Sequence, residues 1–232
     1  MIQIHSLKKT YAHGTVLDIP ALSIPLSECF GLVGNNGAGK TTLFRIILDL
    51  VRATEGEVTI DGAVVAQSEH WKHKVGAFLD EHMLLSYLTP DEYFEALRKI
   101  YRISKDDLGN HLDKFGEFFN GEILQRKKYI RDLSKGNLKK VGIAAALLGD
   151  PEVVLLDEPF ENLDPSSQIR LKKLILAEKE TRKTTFLISS HDLNHITEIC
   201  DRIVLLEKGL IIKDLKDKST MIQELDAYFQ VG

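Results

Sequence analysis

The chain has 232 residues, 44% of them hydrophobic, and a formal net charge of -4 at pH 7. Such a chain is long enough for a packed core, and its mixed acids and bases exclude a protein that binds mainly by neutralising nucleic-acid phosphates. No segment approaches the roughly 18 uninterrupted apolar residues of a membrane-spanning helix, and no N-terminal leader pattern is visible. We therefore expect a cytoplasmic protein, which could serve a membrane only through another protein.

The two cysteines are Cys29 and Cys200. They lie beside apolar neighbours and in no C-x-x-C spacing, so we expect neither a metal site nor a disulfide framework. This cysteine usage is typical of a protein in the reducing cytosol.

Alternating apolar residues predict antiparallel strands in the N-terminal part of the chain. The pattern covers residues 1–26 and the segment GEVTIDGAVV at 56–65, which has a glycine turn at DG. Three short apolar runs, ECFGLVG, PEVVLLDEP and TTFLISSHD, predict buried strands of a parallel sheet. Because helical patterns alternate with these strands, the sequence predicts an α/β fold.

The segment GNNGAGKT, Gly34 to Thr41, matches the phosphate-binding pattern G-x-x-x-x-G-K-[ST] and lies between a predicted strand and the apolar helix TTLFRIILDLV. Its glycines allow successive backbone N–H groups to point at phosphate oxygens, and the helix presents its positive end to the same anion. Lys40 is predicted to reach the β and γ phosphates, and the Thr41 hydroxyl to join a magnesium shell. The predicted nucleotide-binding residues here are Gly34, Asn35, Asn36, Gly37, Ala38, Gly39, Lys40, Thr41 and Thr42.

Consecutive helices without strands are predicted between about residue 82 and residue 131. The segment TPDEYFEALRKIYR has Thr89 as its helix cap, and SKDDLGNHLDKF repeats the device with Ser104. The basic run QRKKYIR at 125–131 is expected to be a solvated helix face. We interpret the whole segment as a helical insertion carried on the α/β body.

Two further predicted strands end in polar residues at one edge of the sheet. VVLLDEP delivers Asp157 to the carboxyl end of a buried strand, where an acid can hold magnesium through water. Glu158 follows directly and can serve the water that attacks a γ-phosphate. FLISSHD places His191 near the same edge, where it can hydrogen-bond a γ-phosphate. We reject a metal pair with His195, because HDLNH lacks the glutamate of H-E-x-x-H and no third ligand is evident.

The order of these motifs resembles the ATP-binding subunits of ATP-binding-cassette (ABC) transporters over nearly the whole chain. The resemblance rests on the phosphate loop, the helical insertion, LSKGN, LLDEP, NLDP and SSHD, in this order. It implies a P-loop NTPase of the ABC ATPase fold, with an antiparallel β subdomain and a helical insertion. It also implies a single ATPase domain over 1–232, with a core at about 1–80 and 132–232 and a helical subdomain at about 82–131.

The resemblance implies a role for the helix start in LSKGN. In this family the L-S-G-G-Q signature closes over the γ-phosphate of ATP that is held by the opposite subunit of a head-to-tail dimer. Ser134, Gly136 and Asn137 would then contact a nucleotide bound to Lys40 of another copy. Hydroxyl and amide groups at a helix start suit this task, because they stabilise an anion.

The resemblance also implies ATP hydrolysis with magnesium. Glu158 polarises water, while Lys40 and His191 stabilise charge on the transferring phosphoryl group. Tyr11 matches the aromatic residue that stacks on adenine, and Asp164 in ENLDP matches the family's subunit-crossing loop and looks like a helix cap. The implied metal ligands are Thr41, Glu81 and Asp157.

The chain departs from the family pattern at three positions. Glu81 stands where the family generally has a Gln that senses magnesium and the membrane subunit, and it adds negative charge there. In the signature, Lys135 replaces Gly and Asn137 replaces Gln. The Glu and the S-K-G form are similar to exporter-type ATPases, which pair with a separately encoded membrane protein. The apolar stretch at 83–94 lies where the family receives that subunit.

Two alternatives to an exporter subunit remain open: a soluble, non-transport relative that acts on ribosomes or DNA, and a small-molecule kinase or binding-only nucleotide switch. The single compact cassette disfavours the non-transport relative. A kinase would not need LSKGN, NLDP and the His191 strand in this order, and Glu158 and His191 favour turnover over a binding-only switch. We expect a membrane-spanning permease subunit and a second cassette, as an ATP-bound homodimer, to be the partners, and no nucleic acid. The expected location is the inner face of the cell membrane.

Overall fold

The computed structural model describes residues 1–231. In this part of the chain the strands are β1 (Ile2–Tyr11), β2 (Gly14–Ile24), β3 (Cys29–Val33), β4 (Glu55–Ile60), β5 (Ala63–Val64), β6 (Val75–Phe78), β7 (Val153–Asp157), β8 (Thr185–Ser190), β9 (Arg202–Glu207) and β10 (Leu210–Leu215). The helices are α1 (Lys40–Ile47), α2 (Pro90–Tyr101), α3 (Lys105–Lys114), α4 (Gly116–Phe119), α5 (Lys135–Ala146), α6 (Pro165–Arg182), α7 (Leu193–Ile199) and α8 (Lys218–Val231). None of these helices is long and apolar enough to cross a membrane.

The N-terminal strands form an antiparallel sheet with the order β2-β1-β4-β5. Ile2 of β1 lies opposite Ile24 on one side and Ile60 on the other, and all three side chains are buried. The turn between β4 and β5 places Asp61 at φ 51° and Gly62 at φ 80°, as a tight hairpin turn requires. The antiparallel strands predicted for this part of the chain are therefore confirmed.

A second sheet has the order β10-β9-β3-β8-β7-β6, and only β10 runs antiparallel to its neighbour among the strand pairs described. Every residue of β3, β7 and β8 is buried, as expected for strands covered by helices on both faces. Their carboxyl ends meet at one edge of the sheet, which brings together three distant segments of the chain. The edge strand β6 was not predicted, because VGAF is short and contains a glycine.

The predicted helical insertion is present. The Thr89 hydroxyl accepts a hydrogen bond from the Glu92 amide, and the Glu92 carboxylate accepts one from the Thr89 amide. Ser104 and Asp107 form the same reciprocal cap on α3. Each cap satisfies amides that the first helical turn leaves without partners. The core of this segment is a cluster of buried rings: Phe94, Phe115, Phe118 and Phe119.

The basic run at 125–131 is exposed for most of its length but is not the predicted helix face. Gln125 and Lys127 have φ angles of 58° and 50°, in the left-handed region that ends regular helices. The Gln125 amide donates to the Asp91 carboxylate, 2.9 Å away, instead of to a helical carbonyl. The run is therefore a loop that leads into the signature segment.

The two cysteines, which are far apart in the sequence, lie side by side in the structure. Cys29 in β3 and Cys200 after α7 are buried with 0% exposure, and their Sγ atoms are 3.5 Å apart. Both act as small apolar side chains between the sheet and α7.

Candidate active site

The phosphate loop connects β3 to α1. Gly37 and Gly39 have φ angles of 83° and 109°, which only glycine adopts without strain. A Cβ atom on Gly39 would also lie 2.7 Å from Cδ2 of Leu17, so the close approach of β2 requires glycine here. Gly39 is the N-cap residue of α1 and has no side chain to accept a capping hydrogen bond. The first backbone amides of α1 therefore point towards the loop without a side-chain partner. This arrangement suits an anion.

Lys40 is the first residue of α1, and its side chain is buried. Its Nζ atom donates to the carbonyl of Gly34 at 2.6 Å and lies 3.5 Å from the carbonyl of Asn35. The same atom is 3.2 Å from Oε1 of Glu158. The lysine is thus held between its own loop and the end of β7, and its charge is compensated there.

Asp157 ends β7 and accepts two hydroxyl hydrogen bonds. Thr41 Oγ1 donates to Oδ2 at 2.5 Å, and Ser189 Oγ donates to Oδ1. Burial raises the pKa of the Asp157 carboxyl, and these two hydrogen bonds oppose the increase. The carboxylate and the Thr41 hydroxyl are neighbouring hard oxygen donors, the type that Mg²⁺ prefers.

Glu158 links two segments through its carboxylate. Oε2 accepts from the His191 backbone amide at 3.2 Å and lies 3.0 Å from Nδ1 of the same residue, while Oε1 faces Lys40. Glu158 has φ 48°, a left-handed conformation that is costly for a glutamate. Such conformations concentrate at functional sites, and a carboxylate in this position can orient and deprotonate a water molecule.

A second group of predicted residues lies at the starts of α5 and α6. The Ser134 hydroxyl caps α5 by accepting from the Asn137 amide at 3.3 Å. A Cβ atom on Gly136 would lie 2.8 Å from the Asn162 carbonyl, so the helix start packs closely on the segment before α6. These residues and Asp164 line one open pocket of about 370 Å³. The signature residues therefore lie together in a pocket separate from the one that Asp157 and Glu158 line.

Asp164 caps α6, with Pro165 at the first helical position. Its carboxylate accepts from the hydroxyls of Ser166 and Ser167 and from the Ser167 amide. These hydrogen bonds hold the pKa of the Asp164 carboxyl well below its usual range. The cap predicted from the sequence is confirmed, whereas a role in crossing to another subunit stays a prediction.

Glu81 and Tyr11 lie at the margins of the site. Glu81 begins a 3-10 turn after β6 and lines a pocket of about 320 Å³ together with Asp157 and Glu158. Tyr11 ends β1 opposite Gly14, and Lys9 Nζ lies 4.6 Å from the centre of its ring. Leu17 of β2, the strand that pairs with β1, packs against Gly39 of the phosphate loop, and the role of Tyr11 stays a prediction.

The comparisons with known proteins agree with this geometry. Residues 17–161 match a family model described as ABC transporter, which is more than half of the chain. The chain belongs to the ABC transporter family. This confirms the resemblance on which the site predictions rest.

Relatives in the ABC transporter family cover most of the chain. An uncharacterized ABC transporter ATP-binding protein of Synechocystis, sll0415, is 36% identical over 83% of this chain and 54% of its own length. The lantibiotic transport ATP-binding protein SrtF of Streptococcus pyogenes is 30% identical over 97% of this chain and 95% of its own. The chain thus spans about half of the first relative and nearly all of the second.

The fold of the chain is that of solved ABC cassettes. A dimeric structure of the cassette MJ0796, in a post-hydrolysis state with ADP and Pi, has a TM-score of 0.82 and 27% identity, and covers 93% of this chain and 98% of that one. This similarity confirms the predicted ABC ATPase fold, including its antiparallel sheet and its helical insertion.

Sequence reasoning missed two polar side chains that contact the site. Ser189 bonds both Asp157 and the Glu158 amide, and Lys139 on α5 donates to the Glu158 carbonyl at 2.6 Å. Ser189 lies in the quoted segment SSHD, and its position in β8, beside β7, is the signal that could have identified it. Nothing local marks Lys139, because its contact depends on how α5 packs against the sheet.

Proposed function

We propose that the chain is the ATP-hydrolysing subunit of an ABC exporter. The observation that carries this proposal is the Glu158 carboxylate, which lies between Lys40 and His191 directly beside the phosphate loop. We further propose that residues 1–232 act as one ATPase domain, with a core at about 1–80 and 132–232 and a helical subdomain at about 82–131. The test is Mg²⁺-dependent ATP hydrolysis by the purified chain; no phosphate release above that of Glu158→Gln would contradict the proposal.

In this mechanism the phosphate loop binds and orients the triphosphate. The amides at the start of α1 and the Lys40 ammonium bind the phosphate oxygens, which requires Lys40 to exchange its Glu158 partner for phosphate. Glu158 then holds the attacking water and accepts its proton, and His191 donates a hydrogen bond to the γ-phosphate. Mg²⁺, held by Thr41, Asp157 and Glu81, would neutralise phosphate charge.

We propose that two copies of the chain close on two ATP molecules. In the closed dimer, Ser134, Gly136 and Asn137 of one copy contact the nucleotide on the phosphate loop of the other. Tyr11 of the copy whose phosphate loop holds the nucleotide stacks on the adenine. The uncovered pocket beside the Ser134 cap supports this assignment, as does the dimeric state of the similar MJ0796 cassette. Closure turns ATP binding into a change of shape.

The sequence favours export, and one relative is named as a transport protein. SrtF is named as a lantibiotic transport protein, and this chain spans nearly its whole length. Glu81 and the S-K-G signature are similar to exporter-type ATPases. We propose that the chain acts at the cytoplasmic face of the membrane, attached to a separate permease.

An apolar surface between the end of α1, β6 and helix α2 of the helical insertion would receive the permease. Leu50, Met83, Leu97 and Tyr101 line a groove of about 370 Å³ there, and Tyr87, four residues after Met83, is 61% exposed. We propose that a cytoplasmic helix of the permease, with an apolar face, occupies this groove. Such a helix would bury side chains that the isolated chain leaves in water.

We expect cysteines at this surface to crosslink to the permease in the assembled complex. Leu85→Cys and Tyr87→Cys should each form a crosslink with a short bifunctional maleimide, because both side chains are exposed and follow directly after Met83 and Leu84, which line the groove. Ile169→Cys is the matched control, since Ile169 is an exposed apolar residue on α6. Equal crosslinking at all three positions, or none at Leu85 and Tyr87, would reject this docking site.

We expect Glu81→Gln to change the magnesium requirement of hydrolysis. Removing one carboxylate from the pocket that also contains Asp157 and Glu158 should raise the Mg²⁺ concentration for half-maximal activity by about tenfold. Asp80→Asn is the control, because Asp80 lines the same pocket but its carboxylate caps the adjoining turn and pairs with Arg45. A magnesium titration that is identical for Glu81→Gln and the wild type would remove Glu81 from the set of metal ligands.

A further inference from the structure

Lys139 connects the signature helix to the turn that carries Glu158. It lies in the second turn of α5, after the Ser134 cap, and its side chain is 13% exposed. Its Nζ atom donates a 2.6 Å hydrogen bond to the backbone carbonyl of Glu158. A hydrogen bond from an ammonium group to a half-buried carbonyl is stronger than a neutral one, so this contact fixes the distance between α5 and the end of β7.

The contact matters because the backbone of Glu158 is in an unfavourable conformation. A glutamate at φ 48° keeps that conformation only when its surroundings hold it there. The Glu158 amide donates to Ser189 Oγ at 3.0 Å, and the Glu158 carbonyl accepts from Lys139. Both backbone polar groups of Glu158 are therefore held by side chains, one from β8 and one from α5. The direction of its carboxylate depends on these two bonds.

Lys139 also carries charge into a strongly acidic region. Its Nζ atom is 3.8 Å from Oε2 of Glu161. Burial lowers the pKa of Lys139, and the surrounding carboxylates of Glu161, Glu158, Asp157 and Glu81 oppose that decrease. When Lys40 turns to phosphate, Lys139 is a cation that stays beside these carboxylates. The Lys139 charge offsets more negative charge in a chain with Glu81 than in one with an uncharged Gln at that position.

We propose that Lys139 is a positioning residue for ATP hydrolysis, which acts by holding the Glu158 turn through its carbonyl. The inference rests on the proposed function, since it concerns the same hydrolytic site. Because Lys139 belongs to the signature helix, any displacement of α5 pulls directly on the turn that holds Glu158. The position of the signature on one nucleotide thus affects the glutamate that serves the chain's own nucleotide.

The test compares Lys139→Met, Lys139→Gln and Lys139→Arg with a control of matched burial. Lys172→Met is that control: Lys172 is 15% exposed and its Nζ atom lies 2.6 Å from Glu198 on α7, away from the site. We expect Lys139→Met to lower kcat by about tenfold or more with KM for Mg–ATP within about twofold. Lys139→Arg should recover kcat to within about threefold of the wild type, and the kcat of Lys172→Met should equal that of the wild type.

Hydrogen exchange supplies a readout that does not depend on hydrolysis. We expect amides at 158–161 to exchange faster in Lys139→Met than in the wild type, and to be unchanged in Lys172→Met. If Lys139→Met fails to fold, the same measurements on Lys139→Gln replace it. An unchanged kcat together with unchanged exchange at 158–161, or equal losses in the Lys172→Met control, would overturn the inference. A wild-type chain that hydrolyses no ATP would contradict the proposed function instead, and exchange would still decide the role of Lys139.

Discussion

Glu158→Gln is expected to lower the rate of ATP hydrolysis by at least about 100-fold, the usual contribution of a general base. The amide cannot accept a proton from water, although it occupies nearly the same space as the carboxylate. ATP binding should not weaken, because the substitution also removes the carboxylate that competes with phosphate for Lys40. The variant should therefore bind Mg–ATP and retain it. Single-turnover phosphate release and nucleotide binding, measured on the same preparation, check both parts of the expectation.

The control for this substitution is Glu161→Gln. Glu161 is in the same segment and borders the same pocket, but its side chain is more than half exposed and faces Lys139 rather than Lys40. We expect its effect on hydrolysis to be less than about threefold, the range of most exposed ion pairs. If Glu158→Gln keeps more than a tenth of the wild-type rate, another group activates the water, and His191 becomes the first residue to test.

Gly136→Asp should abolish ATP-dependent dimerisation in the Glu158→Gln background. A carboxylate at the start of α5 would face the triphosphate of the opposing copy, and like charges in contact cost several kcal/mol. We expect the dissociation constant of the Mg–ATP dimer to rise by more than about 100-fold. Mass in solution, measured with and without Mg–ATP, reports the change, while ATP binding to the monomer should persist because the phosphate loop is intact.

Two further variants separate charge from shape. Gly136→Ala introduces the same Cβ atom, 2.8 Å from the Asn162 carbonyl, without the charge, so we expect a smaller effect on the dimer. Gly109→Asp adds the same charge on α3, where a Cβ atom meets no neighbour within 4 Å, and should leave the dimer unchanged. If the Glu158→Gln protein stays monomeric in every condition while it binds ATP, closure requires the permease or a different cassette, and the homodimer proposal must be withdrawn.

The features that the sequence predicted correctly are those whose geometry is set within a few residues. The caps at Thr89, Ser104 and Asp164 each bond the amide three positions along the chain, so the residue order alone specifies them. The end of β7 at Asp157 follows in the same way from a buried apolar run that stops at a charged residue. Local chemistry decides each of these cases.

The features that the sequence did not predict depend on contacts between distant segments. Lys139 and Glu158 are 19 positions apart, and Ser189 and Glu158 are 31 apart, so no spacing rule connects them. The loop at 125–131 contains two residues in the left-handed conformation, Gln125 and Lys127, and no glycine or proline that would have predicted a turn there. The edge strand β6 forms because β7 offers it a partner, and its own four residues have little preference for a strand.

The burial of both native cysteines has a practical consequence for labelling chemistry. Cys29 and Cys200 have no exposed surface, so thiol-reactive dyes and spin labels should leave the folded wild-type chain unmodified. A single cysteine introduced at an exposed position then becomes the only reactive thiol, without replacement of the native pair in the core. Distances between such labels on two copies could follow cassette closure directly in the otherwise native protein.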